Sequence, residues 1–536
     1  MSSLLNTLSL LMRRLLHPSI LVLIPILFVE YFHITHITDF RFIDEFIHFA
    51  NGALLDRGFA MYADMWHNHQ PFMHYISQAI FRLALSDNST LFEVIKHHRI
   101  FVAAWSLLWS VILIMRFRTS GAMVALTYEV LKYYMFGHLF MGESVIAFPL
   151  IYLVLELVAL YRAKDKQISA GSAIVATLLV WFIIFTREPY IPLALVLWVP
   201  YVLHATIKVR LYSIVLFGFL SAAVLLNIGD MASYFNQVFV YNARFSEADL
   251  GDYTIAARLY NSLGLLPRLA FSGLVSSEIF YVVVSMQFLF MLALWCGGRG
   301  KSEPWQSIRS LLPALLILIL AGIRLPPGEP ILYTMYRGVT YYAVLWSLLF
   351  ANVVMRGGRN ISWAYVIGGV SLLIFVAPTS YLRQPSDVLS QYDINYSAIN
   401  TAAIVINESK TPQSTLMLHG VSVDVLAIVD VTPAYVRPYY IPWQGNDPAE
   451  VALKEAALTK NPPTYYLESE CESQGIAIPR SITPLYVQVL KSDAKSTCVF
   501  VRSSALSEIK KIEENGYIIT KSLEVDPTAR SEEVRP

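Results

Sequence analysis

Between residues 17 and 380 the sequence is a succession of apolar runs separated by short polar connections. Runs of about 17–25 residues match the hydrocarbon thickness of a bilayer when helical. Helices also satisfy their own backbone hydrogen bonds, so such a series restricts the chain to a helical bundle in a membrane. Composition agrees, with 15% charged residues where a soluble domain carries about 25%. The deficit is confined to the apolar region, and residues 381–536 have ordinary soluble composition. The expected fold is an α-helical polytopic membrane protein of about eleven transmembrane helices, with a small C-terminal α/β domain.

Spans are expected near 17–35, 99–116, 120–138, 145–161, 171–185, 190–206, 211–228, 277–296, 310–323, 331–351 and 362–379. Lys and Arg mark alternate connections: Arg13 and Arg14, Arg116 and Arg118, Arg162 to Lys166, Lys208 and Arg210, Arg299 to Arg309, Arg356 and Arg359. The intervening short connections hold Arg187 and Arg324 and little else basic. The positive-inside rule then puts the N-terminus in the cytoplasm, and an odd number of spans puts the tail outside. The first apolar run follows Arg13-Arg14 without a small-residue cleavage site and reads as a retained anchor. Residues 71–86 are apolar but short and carry His74, Gln78 and Arg82, so they read as a juxtamembrane helix. That leaves 36–98 and 229–276 as the two large external loops. In the tail the pattern predicts helices near 393–409 and 448–459 and strands at Thr415–Leu418 and Thr464–Leu467. Cys471 and Cys498 lie in that tail, free or paired with each other.

The external connections are chemically crowded. The first loop holds Asp44-Glu45, at the outer end of the first span, followed by Tyr62, Asp64, Trp66, His67, His69 and His74. An adjacent carboxylate pair serves as a general base, binds a cation with nearby histidines, or is simply a solvated acidic pair. The histidine spacing matches no closed zinc site. Glu143 sits in a very short connection, either facing a polar cavity or at headgroup level. Arg187-Glu188 interrupts an apolar stretch before Pro189; the arginine suits a lipid phosphate or pairs with its neighbour. Glu129 and Lys132, three residues apart inside a span, read as an intramembrane ion pair. Arg337, Tyr341 and Tyr342 lie near the start of the tenth span. The chain has no Walker loop, dinucleotide-binding glycine fingerprint, nucleophile elbow or HExxH, which weighs against nucleotide-driven transport and those hydrolases. The net charge of +1 says nothing about nucleic acid, and since no basic block stands apart from the loop charges no nucleic-acid partner is expected.

The stretch IDEFIHFANGALLDRGFAMYADMWHNHQPFMHYISQAIFRL resembles the first external loop of the GT-C superfamily, polytopic glycosyltransferases that use polyprenyl-phosphate sugars. The likeness is to the branch holding the protein O-mannosyltransferases and the lipid A aminoarabinose transferase. It rests on Asp44-Glu45, Gly58, Tyr62-Ala63-Asp64 and His69-Gln70-Pro71. More loosely, GHLFMGESVIAF resembles the second external loop, TMYRGVTYYAVLW a late Arg…His-Tyr segment, and TLMLHGVSVDVLAIVDVTPAYVRPYY the start of an external domain. His69-Gln70 stands where Lys-Pro is commoner, and Tyr341 where the late histidine is.

The resemblance implies a GT-C-like membrane domain over 1–380 and an extracytoplasmic domain over 381–536. It makes Asp44 the catalytic base and Glu45 a catalytic neighbour that would, like Glu143, orient the acceptor or bind a divalent cation. Glu143, with Asp64, would orient the acceptor or hold a divalent cation, the one cofactor under consideration. His69, Arg187, Arg337 and Tyr342 would bind the donor phosphate. The expected activity is inverting transfer of one sugar from a polyprenyl-phosphate donor to a glycan, lipid or protein acceptor at the outer face of the plasma (inner) membrane. A transporter or flippase of a lipid-linked or polar substrate is the main alternative; it predicts charges near the bilayer midplane and repeated halves. A glycan polymerase and a non-catalytic scaffold are the others.

Overall fold

The structure, a computed structural model, describes residues 18–38, 42–86, 89–162, 167–243, 304–325, 336–351, 399–419, 423–435, 448–468, 478–479, 481–491 and 498–507. The expected spans 277–296 and 362–379, with Cys296 and Cys471, lie outside these residues. The described chain is mostly helical with one small sheet. Its helices are α1 (Leu23–Thr35), α2 (Ile43–Asp56), α3 (Phe72–Ala84), α4 (Leu91–Phe117), α5 (Thr119–Lys132), α6 (Gly142–Arg162) and α7 (Ala170–Thr186). They continue with α8 (Ile191–His204), α9 (Ile207–Leu226), α10 (Pro304–Ala321), α11 (336–351), α12 (399–409) and α13 (Pro448–Lys460). Among the described residues α4, α6 and α9 are long and apolar enough to cross a membrane, and shorter apolar helices lie at Ser19–Thr35, Ala170–Thr186 and Leu312–Ala321.

Helix ends follow local chemistry. α4 begins eight residues before the expected span because Thr90 and Glu93 form a capping box: Glu93 accepts from the Thr90 N–H at 2.7 Å, and the Thr90 hydroxyl accepts from the Glu93 N–H at 3.4 Å. α5 stops at Lys132, short of residue 138, where Phe136 turns left-handed (φ 55°) and the Gly137 N–H closes onto the Lys132 carbonyl at 2.6 Å. Ser169 caps α7, its hydroxyl accepting from the Ser172 N–H at 3.1 Å.

The chain divides into two compact units: the described parts of 1–39, 68–75 and 96–385, and those of 40–67, 76–95 and 386–536. In the first unit, α5 is buried at every position from Gly121 to Lys132. Its apolar side chains join a core with Ile26, Leu113, Phe148, Ile151 and Val339. Gly121 permits the tight α4–α5 turn, since a Cβ there would lie 2.0 Å from the Leu113 carbonyl oxygen. A helix enclosed on all sides requires its charges to be compensated. Lys132 pairs with Glu129 at 2.5 Å and with Glu30 of α1, and the Ser110 hydroxyl donates to Glu129 at 3.0 Å. A second core joins α6, α7, α8 and α10 through Leu150, Val180, Leu193, Leu197 and Ile317. Arg116 closes the far end of α4 with two bonds to Glu156 of α6, at 2.6 and 3.0 Å.

The second unit contains the sheet, in the order β2-β1-β3-β5-β4. Its strands are β1 (Thr415–His419), β2 (Thr432–Pro433), β3 (Tyr465–Glu468), β4 (Tyr486–Lys491) and β5 (Cys498–Arg502). β1 runs parallel to β3 through a crossover that contains α13, while β5 is antiparallel to both β3 and β4. The central strand β3 is buried along its length. Cys498 is disulfide-bonded. Residues 42–67 of the first loop pack in this unit: α2 lies against the short turn Val423–Ala427, and Arg57 approaches Asp430 at 3.9 Å. α2 and the 76–84 part of α3 cross so closely that a Cβ at Gly52 would lie 2.1 Å from Ser77 Oγ.

Candidate anion site

In the first unit, three chain breaks between helices bring charged groups together. α6 starts at Gly142, which places Glu143 in its first turn, fully buried. α7 ends at Thr186, and Arg187 leaves it in extended backbone (φ −150°) because Pro189 cannot continue the helix. The Arg187 side chain crosses Gly142, where a Cβ would stand 3.1 Å from its Cδ. Its Nε donates to Glu143 Oε1 at 3.0 Å. Arg324, in the turn after α10, donates Nη1 to the same oxygen. The Arg324 guanidinium also sits 5.7 Å from the Tyr336 ring centroid, and the Arg337 guanidinium lies 5.7 Å from the same ring. Thr340 Oγ1 lies 2.9 Å from Tyr190 Oη, joining α11 to the turn after Arg187.

His69 joins this group through Glu188, with Nδ1 at 3.1 Å from Oε1. Its segment is pinned on both sides. Gln70 Oε1 accepts from the Tyr234 hydroxyl at 2.9 Å, and Asn68 Nδ2 donates to Asn242 Oδ1 at 3.0 Å. Phe72, opening α3, packs on Trp181 and Phe185 of α7. Burial and then Arg187 hold His69 below the usual imidazole range, against an upward pull from Glu188. Burial raises Glu188, but His69 and Arg187 outweigh it and bring it down to about 2.

The group is positive by one charge and not saturated. Two guanidinium groups face two carboxylates, and Arg337 adds a further positive charge. Arg187 is 3% exposed, yet its Nη1 has no hydrogen-bond partner among the described residues; Glu143 Oε2 and Glu188 Oε2 are also without one. A buried guanidinium with a spare donor is suited to a tetrahedral oxyanion.

The residues singled out in the sequence fall as follows. Glu143, His69 and Arg187 come together, and Arg337 approaches through Tyr336. Tyr342 is 2% exposed and stacks on Trp346 at 5.6 Å within the apolar core. Asp44, Glu45 and Asp64 belong to the second unit. Asp44 is half-buried and Glu45 fully buried in the first turn of α2. Asp64 is exposed and accepts from the Ala60 N–H at 2.7 Å, closing the turn in which Tyr62 takes a left-handed φ of 64°. His67 and His74 are buried, and His69 is half-buried. Arg324 was not assigned a role from sequence; its signal was that it and Arg187 are lone arginines in connections on the same expected side. Glu188 pairs with His69 although it adjoins Arg187 in the chain.

Among possible metal ligands, Glu30, His33 and Glu129 offer atoms within 4.8 Å of one another. Lys132 already pairs with both carboxylates there. No model of a known protein family matches the chain, and no curated protein matches its sequence.

Proposed function

We propose that the chain is an inverting glycosyltransferase of the GT-C type. It is a multi-pass protein of the plasma (inner) membrane with about eleven spans, moving one sugar from a polyprenyl-phosphate donor to an acceptor at the outer face. The observation that carries this reading is the buried convergence of Arg187 and Arg324 on Glu143, beside the His69–Glu188 pair. In such a transfer the acceptor oxygen bonds to the anomeric carbon as the bond from that carbon to the phosphate oxygen breaks. Asp44 takes the acceptor proton, and the lipid phosphate leaves as an anion whose charge the arginines stabilise. The alternating Lys and Arg support an outward-facing tail, and the oxidised Cys498 is in keeping with a compartment where disulfides persist.

The test is sugar transfer by purified protein from a panel of radiolabelled polyprenyl-phosphate sugars, comparing wild type with Asp44→Asn. Transfer is expected to fall by a factor on the order of 10²–10⁴ in the variant. Undiminished transfer by a folded Asp44→Asn protein would remove that residue from the mechanism.

One observation favours the transporter or flippase instead: Glu30, Glu129 and Lys132 form a buried charged group between apolar helices. Donor uptake into proteoliposomes without sugar transfer would favour it.

A further inference from the structure

We propose that Glu143 is a resident counter-anion which an incoming phosphate displaces from Arg324, while Arg187 stays in place and takes up the ligand with its spare Nη1. The inference rests on the reading of this cluster as a phosphate site, and it concerns how that site is kept when empty.

The two arginines are held differently. Arg187 is 3% exposed, its backbone N–H is bonded to the Ile183 carbonyl, and its side chain is pressed against Gly142. Arg324 has an 18% exposed side chain at a turn, and beyond its bond to Glu143 it rests on the face of Tyr336. Both donate to one oxygen of Glu143, leaving the other oxygen without a partner among the described residues. A site built only to neutralise two arginines would use both carboxylate oxygens, since side-by-side pairing is the stronger arrangement. Of the two arginines on that oxygen, Arg324 is the more exposed and so the one free to turn toward a ligand, while Arg187 keeps a donor to spare. A phosphate oxygen accepting from Arg187 Nη1 and from Arg324 replaces one shared acceptor with several. The ring of Tyr336 provides a surface on which the Arg324 guanidinium can turn without losing its cation–π contact. Glu143 thereby competes with the ligand and prevents two buried cations from facing each other uncompensated.

The experiment is a titration of full-length purified protein in detergent, read by ligand-induced thermal stabilisation, with decaprenyl phosphate and inorganic phosphate as separate probes. Glu143→Gln is expected to bind phosphate about tenfold more tightly than wild type, a difference of the size usual for one exchanged charged contact. Arg324→Gln is expected to weaken binding several-fold and to cancel the gain when combined with Glu143→Gln. Weaker or unchanged binding by a folded Glu143→Gln protein overturns the proposal. Where that variant does not fold, unchanged affinity in Arg324→Gln overturns it equally. The same pattern with inorganic phosphate alone, and none with decaprenyl phosphate, keeps the counter-anion role and removes the lipid-linked reading. Binding of decaprenyl phosphate that ignores both substitutions keeps the lipid-linked reading and removes the counter-anion.

Discussion

At the scale of single residues, the His69–Glu188 contact makes stability depend on pH in two separate windows. His69 is depressed in the folded protein, so the unfolded chain binds its proton first, and stability falls as pH drops below about 6.5. Glu188 is brought from its ordinary 4.5 down to about 2, so its contribution is present above 4.5 and is lost between those values. The thermal midpoint of the purified protein is therefore expected to decline in two steps on acidification. His69→Gln should remove the upper step and also shrink the lower one, because His69 is among the groups that hold Glu188 down, whereas Glu188→Gln should remove the lower step and leave the upper in place. A single step unaffected by either substitution would mean that other groups set the pH response. The sequence marked His69 and Glu188 separately but did not pair them, because the pairing joins residues 119 positions apart.

At the scale of elements, the close crossings matter more than the apolar faces. Gly121 has the Leu113 carbonyl where a Cβ would go, and neither backbone can yield without moving α4 against α5. Gly121→Ala is expected to cost about 1–3 kcal/mol, the usual range for overpacking. Thr90→Ala removes the cap of α4 and is expected to cost about 1 kcal/mol. Thermal unfolding in detergent checks both, and the larger loss should fall on the glycine. An order opposite to this would mean that the α4–α5 contact relaxes easily. The capping box at Thr90 and Glu93 was legible in the sequence; the expected span missed it because hydropathy, not capping, set the boundary. The end of α5 was equally available from Gly137. The tail's described strands β1 (Thr415–His419) and β3 (Tyr465–Glu468) fall where strands were expected, at Thr415–Leu418 and Thr464–Leu467, whereas β4 and β5 were not predicted. Both carry a strand signal in the β-branched and aromatic residues of YVQVLK and CVFVR that was not read, and pairing of β5 with β3 and of β4 with β5 completes the sheet.

For the molecule as a whole, the testable consequence is orientation. Alkaline phosphatase fused after Leu506 is expected to be active in a bacterial host, since that enzyme needs the oxidising side of the membrane to fold. Fusion within the basic connection at Lys164 is expected to be inactive. Activity at Lys164 and none at Leu506 would invert the topology and place Arg187 and Arg324 in the cytoplasm. The same reversal would remove an external donor from consideration.

By itself, the sequence determined the helical character of the chain and the positions of most described helices, because apolar run length and backbone hydrogen bonding leave an apolar chain few choices. It also marked Glu143 and Arg187 as costly charges needing partners. Only the tertiary structure decided which partners those were. Arg324 reaches Glu143 across 181 positions, and Lys132 gathers Glu30 from 102 positions away. The first loop is likewise divided, with residues 42–67 packing in the unit of the tail and 68–75 in that of the helices. Such choices depend on which buried charge has a counter-charge within hydrogen-bonding reach once the helices are packed. That distance is set by the crossing of elements and has no signature in the spacing of residues along the chain.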